Sequence, residues 1–283
     1  MAPQNPSNYQ LTIVPEVRAW LHELRRSDPE TLKHISEAVK RLTERGPALA
    51  RPTADLVKGS KYAMKELRPR SGQRVSVRML FVFDPVRRAV ILAAGNKAGN
   101  WSGWYDETIP VAEDAGGPHM IDESGTYDSF DDFLDEFFPD DPAARESIER
   151  GAERLAAEER GARLVELRER SRATREDVAL RMGVALQRVI DLESGTVGFD
   201  FRRIHGVSGT APAKADNDLR ELVRYLAELS AYVQAIGGDI QLELPGTKLD
   251  LADAKALRTL LRHQPVRLLV WAEVEGWRTD IAA

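Results

Sequence analysis

One run constrains the fold more than any other. From Arg74 to Asp84 the chain reads Arg-Val-Ser-Val-Arg-Met-Leu-Phe-Val-Phe-Asp. Val75, Val77, Met79, Phe81 and Phe83 fall at every second position, with Arg74, Ser76 and Arg78 between them. A period of two belongs to a strand with one apolar and one polar face. Asp84-Pro85 marks a turn, residues 89–95 read as the next strand, and Lys65–Arg68 as the strand before. Upstream the period is helical: Val14, Val17, Trp20, Leu21 and Leu24 share one face, and Leu32, Ile35, Val39 and Leu42 another after Asp28-Pro29. The second helix should stop near Gly46-Pro47. Two helices on a small, mainly antiparallel sheet make an α+β domain.

Charge then divides the chain. Residues 1–110 carry 18 Lys and Arg against 11 Asp and Glu, a net of +7; residues 111–160 carry 4 against 16, a net of −12; residues 161–283 balance at 18 each. A basic module followed by an acidic one suggests a polyanion-binding surface with a built-in competitor. The 283 residues suit about two domains. No apolar run of membrane-spanning length appears, the N-terminus has no signal-peptide core, and there is no cysteine, so a cytoplasmic protein without disulfides or cysteine-held metals is expected.

The first module, residues 1–112, concentrates its chemistry in cations and aromatics. Lys58, Lys61, Lys65, Arg68, Arg74, Arg78 and Lys97 are followed by Trp101, Trp104 and Tyr105. Arg74 and Arg78 lie opposite the apolar face of their strand, and Arg68, two positions after Glu66, joins them if the register agrees. Guanidinium forks match phosphate, and aromatic rings stack on unpaired bases. The same pattern also describes a solvated basic face with tryptophans in the core.

Specific motifs weigh in. Gly46-Pro47, Arg51-Pro52, Gly59-Ser60, Lys65-Glu66-Leu67-Arg68, Arg78-x-Leu80-Phe81-x-Phe83-Asp84-Pro85, Gly95-x-Lys97-x-Gly99-x-Trp101, and Trp104-Tyr105 before Ile109-Pro110 together resemble the RelE/HigB-like toxin family. Asn96 departs from the Asp of many relatives. The resemblance implies a ribosome-dependent mRNA endonuclease working without metal or cofactor, in which a 2′-hydroxyl attacks the adjacent phosphate. It implies catalytic roles for Arg68 and Arg78 as charge stabilisers, Lys97 as acid or base, and Tyr105 as proton shuttle or base stacker. Lys58, Lys61, Lys65, Arg74, Trp101 and Trp104 are then the RNA-binding set. His22 and His34, on helices, are expected to be structural.

Residues 113–126 read as a linker. Its Gly116-Gly117-Pro118-His119-Met120 is compatible with a natural sequence and with a cloning scar in an engineered fusion. Residues 127–160 form the acidic helical segment. There Phe130, Asp131, Asp132, Phe133, Asp135, Glu136 and Phe137 are candidate neutralising residues, expected to dock on the basic face and mimic RNA phosphates; a plain soluble linker is the other reading. Residues 161–197 are similar to the helix-turn-helix of Cro/C1-type, HigA-like antitoxins through Leu167-Arg168, Val178-Ala179, Met182-Gly183-Val184, Arg188-Val189 and Leu192-Glu193-x-Gly195. That resemblance implies operator DNA, a homodimer, and DNA contacts from Arg175, Gln187 and Arg188. The recognition helix departs from the family at Ala185-Leu186 and at Ile190-Asp191, where phosphates meet apolar groups or a like charge. Residues 198–217 read as an insertion or loop, and 218–283 as a helix, strand, helix and strand. The reading is a toxin–antitoxin fusion; the alternatives are a non-enzymatic transcription regulator using the toxin fold for sensing or dimerisation, and a recruited interaction protein.

Overall fold

The computed structural model describes residues 9–70, 76–85, 88–98, 103–115, 126–127, 129–199, 212–244, 247–249, 269–274 and 276–280. Arg74, Trp101, the Gly116–Met120 run and the helix expected at 250–262 lie outside them. The chain divides into two compact units, Met1–Leu155 and Ala156–Ala283.

Unit one begins with strand β1 (Leu11–Ile13), then helices α1 (Pro15–Ser27) and α2 (Pro29–Arg45). Asp28 ends the first helix and caps the second: its carboxylate accepts from Thr31 N at 3.1 Å and Thr31 Oγ1 at 2.6 Å. Strands β2 (Ala54–Leu56), β3 (Lys65–Leu67), β4 (Val77–Phe83) and β5 (Ala89–Asn96) follow, then helix α3 (Gly103–Ala115) and strand β6 (Thr126–Tyr127). The six strands form one sheet in the order β2-β3-β4-β5-β1-β6. All pairs are antiparallel except β1 with β5. The sequence pattern does not reveal β1, because three residues are too few to show a period.

Both faces of this sheet are covered. Val77, Met79 and Phe81 join Leu11, Ile13, Val17, Leu21, Leu32 and Ile35 on the α1–α2 side. Leu80 joins Met64, Val90, Leu92 and Ala112 on the α3 side. The face expected to be solvated is therefore roofed by α3.

Helix α4 (Phe130–Phe137) and the long helix α5 (Pro142–Arg170) complete unit one as far as Leu155. Phe130, Phe133, Leu134, Phe137 and Phe138 are buried in the α1–α2 core. The acidic segment thus sits on the sheet face opposite the basic residues, which corrects the expected docking. Magnitudes explain why. Burying each Phe or Leu contributes roughly 1.5–3 kcal/mol, whereas an exposed ion pair contributes about 0–1 kcal/mol. Asp131 and Asp132 remain exposed; Asp132 caps its own helix through Ser129, and Asp135 pairs with Arg145 at 2.5 Å. Glu136 turns inward instead. Its carboxylate accepts from Arg18 Nε and Nη2, each at 2.7 Å, meets His22 Nε2 at 2.7 Å, and accepts from the Tyr127 hydroxyl.

Unit two contains the rest of α5, helices α6 (Arg175–Met182), α7 (Leu186–Ser194) and α8 (Pro212–Ala235), and strands β7 (Asp239–Leu244), β8 (Thr247–Leu249), β9 (Leu269–Val274) and β10 (Trp277–Asp280). The strands pair antiparallel in the order β10-β9-β7-β8. Helix α8 begins inside the stretch read as a loop. Its Leu222, Leu226, Leu229 and Val233 pack with Leu164, Leu167, Val178, Val189 and Leu192. Gly183, between α6 and α7, has φ +67° and receives the turn as expected. Among the described residues no helix is long and apolar enough to cross a membrane.

Glu136 supports a pH prediction. Burial opposes its ionisation, but hydrogen bonds from Arg18, Tyr127 and His22 outweigh that and hold its pKa below the ordinary value. A carboxyl lowered in the folded state stabilises fully above its unfolded pKa and loses that contribution as pH falls through the folded one. Glu136→Gln should therefore destabilise the protein by about 1–2 kcal/mol at neutral pH, and the deficit should shrink in acid; urea melts at two pH values check this.

Candidate functional site

Strands β3, β4 and β5 and helix α3 bring four expected catalytic residues together. Register is the cause. Glu66 pairs with Leu80 and Arg78 with Gly95, so Glu66 and Arg78 share the α3-facing side. Gly95 matters because a Cβ there would lie 2.9 Å from Trp104 Nε1; only glycine lets α3 lie this close. Trp104 packs against this core, edge-on to Tyr105 at 5.1 Å, and so serves to seat α3. Asn96 accepts from Ser76 N at 2.8 Å and Ala98 N at 3.0 Å, tying the start of β4 to the turn that carries Lys97.

The centre of the site is Glu66, 3% exposed. Its Oε1 accepts from Arg68 Nε at 2.7 Å. Its Oε2 accepts from the Tyr105 hydroxyl and lies 3.7 Å from Arg78 Nε. Lys97, also 3% exposed, donates from Nζ to Tyr105 Oη at 3.0 Å. Arg68 Nη2 reaches Asp55 at 2.9 Å, and Asp55 accepts from Arg51 as well. Arg78 donates to Val77 O at 2.7 Å, while its buried Nε has no hydrogen-bond partner.

Electrostatics follow from this packing. Burial lowers the Lys97 pKa, and neighbouring Arg78 and Arg68 lower it further against the pull of Glu66. Burial raises the Tyr105 pKa, and its hydrogen bond to Glu66 adds to this, to about 12. Tyr105 therefore keeps its proton at neutral pH and can pass one along only as another arrives. Lys97 releases a proton more readily than an ordinary lysine. The Arg78 guanidinium, ion-paired with Glu66 through Nε and bonded to Val77 O through Nη1, is a fixed positive charge beside Tyr105 and Lys97.

The remaining RNA-binding candidates scatter. Lys58 is exposed. Lys61 pairs with Glu113 at 3.4 Å. Lys65 donates to the carbonyls of Pro47 and Leu49 and is engaged in holding the chain after α2. The DNA-binding candidates turn to carboxylates in unit two. Arg175 donates to Glu193 at 2.6 Å, Arg188 to Glu228 at 2.6 Å, and Gln187 to Asp191 at 2.8 Å. Glu193 is itself buried and also accepts from Arg168 and Tyr232. Leu180 is 81% exposed and Val184 and Leu186 are partly so. Among the described residues no group of three or more His, Asp or Glu is gathered to hold a metal ion. Glu66 was missed as a site residue. Its signal was present: an acid at the centre of a basic stretch, on the strand face shared by Arg68 and Arg78.

Residues 22–115 match the family model for phage-derived Gp49-like proteins. HigB2 of Mycobacterium tuberculosis, named as a toxin, is 49% identical over 108 residues, 38% of this chain and 52% of that protein. HigB3 of the same organism, also named as a toxin, is 40% identical over 114 residues, 40% of this chain and 95% of that protein. The chain thus spans about half of the first relative and nearly all of the second. No solved structure matches it.

Replacing Glu66 by Gln should lower the Tyr105 pKa from about 12 toward the ordinary tyrosine value of 10.0, because a charged acceptor is lost while burial remains. An NMR titration of the Tyr105 ring measures this.

Proposed function

Since the chain belongs, through its first unit, to the Gp49-like family of HigB-type toxins, we propose that this unit is an endoribonuclease acting on mRNA at the ribosome. The observation that carries the reading is the convergence of Arg68, Arg78 and Lys97 on Tyr105 and Glu66 in one buried cluster. The reaction is transesterification. The 2′-hydroxyl attacks phosphorus, the bond to the 5′ oxygen breaks, and a cyclic phosphate and a 5′-hydroxyl result. Arg78 neutralises charge on the phosphorane oxygens, where a preorganised donor contributes about 10²–10³-fold. Arg68, held by Glu66 and Asp55, fixes the cluster and adds positive potential. Lys97 protonates the leaving oxygen.

The second unit is the HigA-like, antitoxin-derived half of a natural or engineered fusion, and it restrains the first. Occlusion of the site by α4 is not the means, because α4 lies on the opposite sheet face. The engagement of Arg175 with Glu193 and of Arg188 with Glu228 favours a docking or dimerising scaffold over an operator reader.

Inducing residues 1–155 should arrest growth more strongly than inducing the whole chain, and Arg78→Ala in the short form should restore growth. Equal arrest by both lengths contradicts the restraint. Undiminished arrest by Arg78→Ala contradicts the site.

A further inference from the structure

Lys97 accounts for a proton given to the leaving oxygen, but a proton must also leave the attacking 2′-hydroxyl. Tyr105 is not that base by itself, since its oxygen already carries a proton at neutral pH and can take another only by passing its own on. Its own proton points at Glu66 Oε2. The geometry points to Glu66 as the residue that receives the 2′-hydroxyl proton, with the Tyr105 hydroxyl as the relay between them. This rests on the endonuclease reading and adds to it the base that the reading lacks.

The step balances. The 2′-O–H bond breaks and its proton goes to Tyr105 Oη, while Tyr105 passes its own proton to Glu66 Oε2. The 2′ oxygen bonds to phosphorus, and the phosphorus–5′ oxygen bond breaks as Lys97 Nζ gives that oxygen a proton. Glu66 ends protonated and Lys97 neutral, and both are reset by exchange with water. Lys97 Nζ and Tyr105 Oη lie 3.0 Å apart. That spacing lets each reach one apical oxygen of the same in-line phosphorane. The groups facing Glu66 fit this role. Arg68 and Arg78 hold the carboxylate in place before the transfer, and the raised Tyr105 pKa keeps the relay proton on oxygen until it is displaced. Because Glu66 acts through Tyr105, it is a positioning and proton-accepting residue and does not touch the RNA.

The test uses the whole chain in single-turnover cleavage on ribosomes programmed with a short synthetic mRNA, so that any restraint from the second unit lowers all variants alike. Glu66→Gln should cut the chemical rate about 100-fold, the scale of a lost general base, with mRNA affinity within about twofold of wild type. Glu66→Asp should recover part of the rate. A bridging sulfur at the 5′ position makes a leaving group near the thiol pKa of about 8.5, which needs no acid. It should rescue Lys97→Met and leave the Glu66→Gln defect in place. If the sulfur also rescues Glu66→Gln, or if that variant loses affinity and keeps its rate, Glu66 is not the acceptor. Should Glu66→Gln fail to fold, Tyr105→Phe takes its place: the same rate loss without sulfur rescue supports the relay, and an unchanged rate overturns it. If neither the wild-type chain nor its first unit, residues 1–155, cuts RNA, the endonuclease reading itself is overturned, and the Glu66 role with it.

Discussion

The first unit depends on a buried carboxylate. Arg68, Arg78 and Lys97 are three like charges within one small region, two of them drawn directly to Glu66 and the third linked to it through Tyr105. Cations so placed repel one another, and burial removes the water that would screen them. Glu66 makes the cluster tolerable, and it does so from a strand whose register aims it at Leu80 and Arg78. The same carboxylate fixes the direction of the Tyr105 hydroxyl, so neutralisation and orientation come from one side chain. Breaking such a contact from one side costs more than the contact itself contributes, because the partners are left buried and unpaired.

Opposite charge does not by itself bring segments together in this molecule. The acidic helix α4 follows a basic domain, and simple attraction would lay it on the cationic face. It lies instead on the other side of the sheet, where its phenylalanines enter the core with α1 and α2. The carboxylates that face out find local work in capping and in a pair with Arg145. Only Glu136 is drawn in, and it meets the basic side chains of α1. Apolar area decides the position, and charge settles the orientation.

Much of this fold was legible in the sequence. The period-two run placed β4, the apolar segment after Asp84-Pro85 placed β5, Asp28-Pro29 and Gly46 bounded α2, and Gly183 marked the turn between α6 and α7. The four residues expected to be catalytic do gather, because alternation and register are short-range rules that a strand pattern carries. Other features were hidden for physical reasons. Strands β1, β2 and β6 are two or three residues long and show no period. The solvated face expected around Arg78 is roofed by α3, a tertiary contact that Gly95 permits but does not announce. Lys65 looked like an RNA contact, and only the fold shows its ammonium bound to Pro47 and Leu49 carbonyls. Arg175 and Arg188 looked free for DNA until Glu193 and Glu228, distant in sequence, came beside them. Glu66 does not stand out in the sequence because an acid in a basic stretch reads as an exception, whereas in the fold it is the group that holds Arg68 and Tyr105 together.

The reaction proposed for the first unit is internal transesterification of RNA, driven by lysine, tyrosine and arginine around a buried glutamate. The chemistry of the cut ends distinguishes it from hydrolysis. mRNA recovered from ribosomes after cleavage by this protein can be analysed by mass spectrometry. Transesterification leaves a 2′,3′-cyclic phosphate on one side of the cut and a 5′-hydroxyl on the other. A 3′-hydroxyl opposite a 5′-phosphate is the result that rules it out.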